Sequence, residues 1–215
     1  MNLLSLGKNF LEIVNHPNSM LTLLGIMLIV IVLLKSKKIK LTPSLISSIG
    51  LALALAIILD MFKLTKLPNG GSVTLGAMVP IILISLLYGP EVGFLTGFLC
   101  GLIKLILGPY ILHPLQVLFD YPLPFMALGL AGYFRNNKIL ATIVAIFGKF
   151  VFHFIAGVIF WGSTAPETMS PYLYSLIYNG SFLSVNALIC VVILYMLPVE
   201  NLYKIINRKS HYNVS

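Results

Sequence analysis

The strongest constraint on how this chain can fold is its succession of long apolar runs, separated by only a few polar, glycine or proline residues. Hydrophobic residues make up 59% of the 215 positions and charged residues 9%, whereas soluble domains carry about 25% charged residues. A helix of about 20 apolar residues spans the hydrocarbon core of a bilayer, and the longer runs reach that length. The sequence therefore predicts an all-α integral membrane protein.

Seven segments are predicted to cross the membrane. They cover residues 18–35, 44–62, 73–88, 91–107, 115–133, 139–162 and 174–197. The connections, such as GSTAPETMSP at 162–171, are short and rich in turn-forming residues, so consecutive segments should pack side by side. The first segment is aliphatic and lacks internal polar groups. We therefore divide the chain into an extra N-terminal transmembrane helix with a basic loop (1–40), a six-helix core (41–199) and a basic, amphipathic tail on the inner membrane surface (200–215).

The net charge of +8 follows from where Lys and Arg lie. Nine of the 14 fall in loops on the same side as KSKKIK at 35–40, and three fall in loops on the other side. Because Lys and Arg resist translocation, the richer side is predicted to be cytoplasmic. This places the N-terminus outside and the C-terminus in the cytoplasm of a multi-pass protein in the cell membrane. It also explains the positive charge without a nucleic-acid partner.

Ionisable residues inside the apolar runs gather in the predicted outer half. Such groups are costly in a membrane and are functional candidates by default. Lys149, His153, Gly157 and Trp161 are spaced by four residues, so they share one face of a helix. The other candidates enter the same half from neighbouring segments and from an outer loop. The predicted pocket residues are Tyr110, Asp120, Tyr121, Lys149, His153, Gly157, Trp161, Tyr174 and Asn179.

Aromatic walls around a single carboxylate suit a flat organic cation, because the cation can lie on the rings while Asp120 offsets its charge. Lys149 is expected either to pair with Asp120 in the empty pocket or to meet an anionic or hydroxyl group of the ligand. Lys104 is expected to extend outward along the membrane surface. Asp60 is expected to pair with Lys63, three residues further along the same helix end.

Small residues recur at helical spacing in two places. Gly93, Gly97 and Gly101 form a glycine stripe, and Ala52 and Ala56 form a second small pair. In lipid, small residues let helices approach closely. Two interpretations stay open at this point, namely ordinary packing within the bundle and a docking face for another membrane protein.

The sequence lacks common enzyme motifs. It contains no nucleotide-binding P-loop, no H-E-x-x-H and no G-x-S-x-G. Cys100 and Cys190 lie inside apolar runs and read as small hydrophobic residues. We expect no enzyme activity, no metal and no cofactor. A membrane hydrolase would need a nucleophile near His153, and a stand-alone secondary transporter or channel would show internal repeats and interrupted helices.

Four stretches carry a resemblance to a known family: LPNGGSVTLGAMVPI, GPYILHPLQVLFDYPLPFMALGLAG, FHFIAGVIFWGSTAPE and YSLIYNGS. They resemble the thiamine-specific substrate-binding (S) component of energy-coupling factor transporters, over about residues 44–198. The resemblance implies a six-helix bundle that binds thiamine at its outer face. It also implies docking on a transmembrane T component and two cytoplasmic ATPases, which would supply the ATP hydrolysis. An S component for another vitamin, or for a thiamine precursor such as the pyrimidine moiety, is the related alternative.

The resemblance also implies roles for residues. Trp161 and Tyr174 would flank the rings, and Asp120 would offset the thiazolium charge. The groups expected to hydrogen-bond the aminopyrimidine or hydroxyl end are His153, Tyr121 and Asn179.

Two further expectations rest on the same resemblance. An A-x-x-x-A pair for docking on the T component falls on Ala52 and Ala56. The first outer loop lacks the tryptophan of some family members, and Gly70, Gly71 and Ser72 are expected to form a lid instead.

Overall fold

A computed structural model describes residues 39–107 and 112–212 of the chain. The predicted N-terminal helix and Tyr110 lie outside these residues. The elements are α1 Pro43–Met61, β1 Lys63–Lys66, β2 Ser72–Thr74, α2 Val79–Tyr88, α3 Pro90–Leu107, α4 Pro114–Asp120, α5 Pro122–Met126, a 3₁₀ helix Ala127–Phe134, α6 Lys138–Ile159, α7 Pro171–Met196 and α8 Val199–Tyr212. Short 3₁₀ turns occur at Pro68–Gly70 and Gly162–Thr164.

The long helices begin where the sequence supplies a cap. Thr42, Asn137 and Ser170 each accept a hydrogen bond from the backbone amide three residues on, at the starts of α1, α6 and α7. Such caps satisfy amide groups that the first helical turn leaves without a partner. Proline at the first position of α1 and α7 adds to this signal, because its missing N–H costs nothing there.

Within the described residues, five helical stretches are long and apolar enough to cross a membrane: α1, α3, the interrupted stretch Pro114–Phe134, α6 and α7. The sixth apolar helix, α2, has only ten residues and is about 15 Å long, so it ends within the bundle. The buried core lies mainly between α2, the 3₁₀ helix, α6 and α7. The architecture confirms the prediction of an all-α integral membrane protein.

The predicted segment at 73–88 is wrong as a single helix. Residues 72–74 form a strand that pairs antiparallel with β1. Thr74 donates from its backbone N–H and its Oγ1 to Asn186 Oδ1, at 3.1 and 3.2 Å, and Gly76 adopts a φ of +80°. These features hold the chain extended and then turn it, so α2 starts only at Val79. Hydropathy alone cannot distinguish an apolar strand from an apolar helix.

The predicted segment at 115–133 is interrupted. Tyr121, with φ −115° and ψ −81°, separates α4 from α5. Pro122 and Pro124 follow, and proline has no N–H to continue the helical hydrogen-bond pattern. Interrupted helices are also expected of the secondary-transporter alternative, so this break does not separate the two classes.

The glycine stripe of α3 packs inside the bundle. A Cβ atom on Gly97 would collide with the backbone carbonyl of Phe125, and one on Gly101 would lie 2.5 Å from the carbonyl oxygen of Tyr121. These glycines therefore let the interrupted segment lie directly against α3. Packing within the bundle, rather than a docking face, accounts for the stripe.

The Ala52–Ala56 pair is also internal. The two side chains are 5% and 1% exposed, and α1 packs through this face on α2 and α3. The residues of α1 that face outward are larger, including Leu51, Leu55 and Ile58. The pair is thus covered within this chain, and its role in docking stays a prediction. Its small side chains serve close helix packing within the chain.

Candidate ligand-binding site

A cavity of about 190 Å³ lies at the end of the bundle that carries the β1–β2 hairpin. This is many times the space that a single water needs, and the lining combines aromatic rings with polar groups. Eight predicted pocket residues lie on its wall, namely Asp120, Tyr121, Lys149, His153, Gly157, Trp161, Tyr174 and Asn179. They come from the end of α4, from α6 and the turn after it, and from α7.

Asp120, at the last position of α4, is the polar centre of the cavity. Its Oδ2 accepts hydrogen bonds from Gln116 Nε2 at 2.6 Å and from Trp161 Nε1 at 3.3 Å. Its Oδ1 lies 3.4 Å from His153 Nδ1. The carboxylate is thus fixed by an amide, an indole and an imidazole. Among the described residues, no lysine lies within ion-pair distance of it.

Lys149 is buried one helical turn below His153, with 6% of its surface exposed. Its Nζ lies 3.3 Å from the centre of the Phe125 ring, in a cation–π contact. The structure therefore does not show the pairing with Asp120 that was one of its two expected roles. The other role, contact with a polar group of a ligand, is compatible with its place on the cavity wall.

Lys104 and Asp60 occupy the same wall and form an ion pair, with Lys104 Nζ 2.6 Å from Asp60 Oδ1. Lys104 Nζ also lies 4.9 Å from the centre of the Phe125 ring. Both sequence expectations for these residues are wrong. Lys104 turns into the bundle rather than outward, because a carboxylate on the neighbouring end of α1 is available there. Asp60 accordingly pairs across helices and not with Lys63.

Gly157 allows α6 and α7 to approach closely behind the cavity. A Cβ atom there would collide with the side chain of Ser175 and lie 3.0 Å from Asn179 Nδ2. Asn179 Nδ2 donates to the backbone oxygens of His153 and Ser175, at 3.2 and 3.1 Å. The amide nitrogen of Asn179 is thus used by the protein. Its Oδ1 is the atom that a hydrogen-bond donor on a ligand could use.

Aromatic side chains form the outer part of the wall. Trp161 lies two residues beyond the end of α6, and its ring is held by the hydrogen bond to Asp120. The Tyr174 ring stacks on that of Tyr178, with centroids 5.7 Å apart. The Trp161 ring therefore borders the carboxylate, and it is presented by a turn and not by the helix itself.

The β1–β2 hairpin lies over the cavity and is tied to α7. Gly71 N–H donates to Tyr178 Oη at 2.9 Å, and Tyr178 O–H donates to the carbonyl of Pro68. Asn69 Nδ2 donates to Tyr174 Oη at 3.2 Å. Gly70, Gly71 and Ser72, the residues expected to form a lid, are part of the cavity lining.

Several lining residues were missed in the sequence. Gln116 stands four residues before Asp120, so helical spacing could have identified it as a partner of the carboxylate. Phe125, Tyr178 and Asn186 carry no comparable local signal, because their roles depend on contacts with distant segments. Among the residues that the structure describes, no group of three or more His, Cys, Asp or Glu side chains is placed to hold a metal ion.

The sequence matches known proteins over the described fold. The family profile described as "Thiamine transporter protein (Thia_YuaJ)" matches residues 46–206. The thiamine transporter ThiT of Bacillus subtilis is 34% identical over 168 residues, which cover 69% of this chain and 87% of that protein. ThiT of Lacticaseibacillus paracasei is 32% identical over 140 residues, covering 56% of this chain and 70% of that protein.

A solved structure of ThiT from Listeria monocytogenes shares the fold, with a TM-score of 0.63 and 24% sequence identity. The match covers 72% of this chain and 94% of the Listeria chain. The match to the family profile extends from α1 into α8, so it includes every described element that lines the cavity. The chain is therefore a member of the thiamine transporter protein family (Thia_YuaJ).

Proposed function

We propose that this chain is the high-affinity thiamine-binding subunit of an ATP-driven energy-coupling factor importer. The observation that carries the proposal is Asp120, a carboxylate within an interrupted membrane span that is held by hydrogen bonds and has no lysine partner among the described residues. A carboxylate in such a place is costly even with these hydrogen bonds, and a cationic ligand offsets that cost. Thiamine carries a permanent positive charge on a flat ring.

The surrounding groups fit the rest of such a ligand. Trp161 and Tyr174 flank its rings, where cation–π contacts contribute about 0.5–2 kcal/mol each. His153, Tyr121 and Asn179 hydrogen-bond the aminopyrimidine or the hydroxyl end. Tyr110 would add an aromatic contact from the outer loop. Lys149 meets a polar oxygen of the ligand, and Gly157 leaves room beside it.

The distribution of basic residues supports an outward-facing pocket. Lys40, Arg135, Lys138 and Lys204 lie at the end of the bundle opposite the hairpin, as the alternation of the helices requires. By the positive-inside rule that end faces the cytoplasm. The cavity then opens to the outside, the N-terminus lies outside and the C-terminus lies in the cytoplasm.

Coupling to partners completes the proposal. The sequence has no P-loop, so two cytoplasmic ATPase subunits would hydrolyse ATP, and a transmembrane T component would connect them to this chain. The predicted docking contact at Ala52 and Ala56 is part of the proposal. Because both side chains are buried, the contact would also involve the outward face of α1.

The test is a titration of the purified protein in detergent with thiamine, following tryptophan fluorescence. Trp161 is the sole tryptophan and contacts Asp120, so the signal reports on the pocket. We expect saturable quenching with a Kd near 1 nM, equivalent to about 12 kcal/mol. A response to another vitamin, but none to thiamine, would contradict the proposed substrate.

A matched control uses Asp120→Asn and a thiamine analogue whose thiazolium ring is replaced by a neutral thiophene ring. The substitution should weaken the binding of thiamine by a factor of ten or more, because hydrogen bonds to charged groups contribute about 1.5–3 kcal/mol. It should weaken the neutral analogue much less. Equal losses for both ligands would favour a neutral ligand, such as a pyrimidine precursor.

A further inference from the structure

Among the described residues, the cavity wall carries two carboxylates and two lysines, and only one of the carboxylates is paired with a lysine. Asp60 forms an ion pair with Lys104, whereas Asp120 is bound by Gln116, Trp161 and His153. Opposite charges attract strongly in a low-dielectric environment. A lysine free to reach Asp120 would therefore be expected to occupy it, and the structure shows neither lysine there.

The two lysines are held in place by separate contacts. Lys104 Nζ and Lys149 Nζ lie 4.9 and 3.3 Å from the centre of the same Phe125 ring. Two ammonium groups that share one ring repel each other. The Asp60 carboxylate, 2.6 Å from Lys104, offsets this repulsion and fixes Lys104 at the ends of α1 and α3.

Asp60 is not the only carboxylate that could attract Lys104, since Asp120 lines the same cavity. The side chains of Lys104 and Asp60 are 24% and 20% exposed, so water screens them only in part. Without Asp60, Lys104 would be repelled by Lys149 and attracted by Asp120, the remaining carboxylate on the same cavity wall. Either a direct contact with Asp120 or the added positive charge in the cavity would oppose a cationic ligand.

We propose that Asp60 is a positioning residue that holds Lys104 away from Asp120 and so keeps the Asp120 carboxylate available to a cation. The inference rests on the proposed function, since it explains how the pocket selects a positively charged ligand. Asp60 and Lys104 act on the ligand through the charge balance of the cavity, and neither needs to contact it.

The experiment measures thiamine binding, by Trp161 fluorescence, to the full chain with Asp60→Asn, with Lys104→Met and with both substitutions. We expect Asp60→Asn to weaken the binding of thiamine at least about tenfold and to change the binding of the neutral thiophene analogue much less. The double variant should bind thiamine within about twofold of Lys104→Met alone, because the freed lysine is then absent. Lys104→Met alone should retain or increase the affinity.

The outcomes separate this inference from the proposed function. If the unaltered protein fails to bind thiamine, the proposed function is wrong. If it binds but the double variant stays as weak as Asp60→Asn, Asp60 acts by contact or by packing, and the inference is overturned. A tenfold loss in Lys104→Met alone overturns it as well, and this second test does not depend on whether Asp60→Asn folds.

Discussion

The helices α3 and α6 each carry a stripe of residues with a spacing of four, and glycine serves a different purpose in each stripe. On α3, Gly97 and Gly101 face the backbone of the interrupted segment. On α6, Gly157 follows Lys149 and His153 and faces the side chains of Ser175 and Asn179. The glycines of α3 let its backbone lie directly against the backbone of the interrupted segment, and we call this contact the α3 seam. The glycine of α6 lets polar side chains approach the back of a cavity.

The difference lies in what stands opposite the glycine. A backbone cannot move without displacing the elements on both sides, whereas a serine hydroxyl or an asparagine amide can turn to another rotamer. The same sequence spacing therefore indicates close packing in both cases and does not identify which helix borders a binding site. The ionisable residues of α6 supply that distinction.

The largest effect is expected from breaking the α3 seam with Gly97→Ala. The new Cβ would collide with the Phe125 carbonyl and lie 3.0 Å from Met126 Cα, both backbone atoms. We expect a loss of about 3 kcal/mol in stability, the upper end for overpacking, with thiamine binding lost as the fold loosens. Thermal unfolding in detergent measures the first effect and Trp161 fluorescence the second.

Gly50→Ala on α1 is the matched control for this prediction. No atom lies within 4 Å of the position that its Cβ would take. Because alanine favours a helix over glycine by about 1 kcal/mol, the melting temperature should stay the same or rise. A Gly97→Ala protein as stable as the Gly50→Ala protein would show that the seam tolerates a side chain.

A smaller loss of stability is expected from Ala56→Leu, a substitution that extends the comparison to the buried face of α1. Ala56 is 1% exposed within the core, so the added atoms should cost about 1–3 kcal/mol. Both stability and thiamine binding should fall. If unfolding and binding were unchanged while transport failed, Ala56 would be a docking residue after all.

The smallest effect on stability is expected from Gly157→Ala, which tests the cavity stripe. The added methyl group meets the Ser175 and Asn179 side chains, including Ser175 Cβ at 2.9 Å, so we expect a loss of about 1 kcal/mol in stability, the lower end for overpacking. Thiamine should nevertheless bind about tenfold more weakly, because Asn179 is displaced at the back of the pocket. A large drop in melting temperature without a change in the Kd for thiamine would show that Gly157 serves helix packing, as Gly97 does, and not the cavity.

Much of the fold could be predicted because spans and caps are local signals. The runs that became α1, α3, α6 and α7 are apolar over about 20 residues, and their boundaries agree with the structure within a few residues. The β1–β2 hairpin could not be predicted from hydropathy, since its second strand depends on Asn186, 112 residues from Thr74. The sequence does contain a sign of the break at Tyr121, in the prolines of DYPLPF.

The cavity-lining residues of α6 could be predicted from the sequence for a related reason. A spacing of four on one helix brings His153 and Gly157 to the same wall whatever the neighbours do. The ion-pair partners of charged residues could not be predicted in this way. Lys104 and Asp60 are 44 residues apart, and the nearer Lys63 was the better candidate by sequence distance alone.

The interruption of the stretch Pro114–Phe134 also shapes the electric field in the pocket. Asp120 sits at the carboxyl end of α4, where the aligned peptide dipoles leave a partial negative pole. Because Pro122 and Pro124 lack amide hydrogens, the carbonyls of Leu118 and Asp120 lose the donors that a continuous helix would supply. Part of the attraction for a cation thus resides in the main chain, so the Asp120→Asn protein should keep a residual preference for charged ligands.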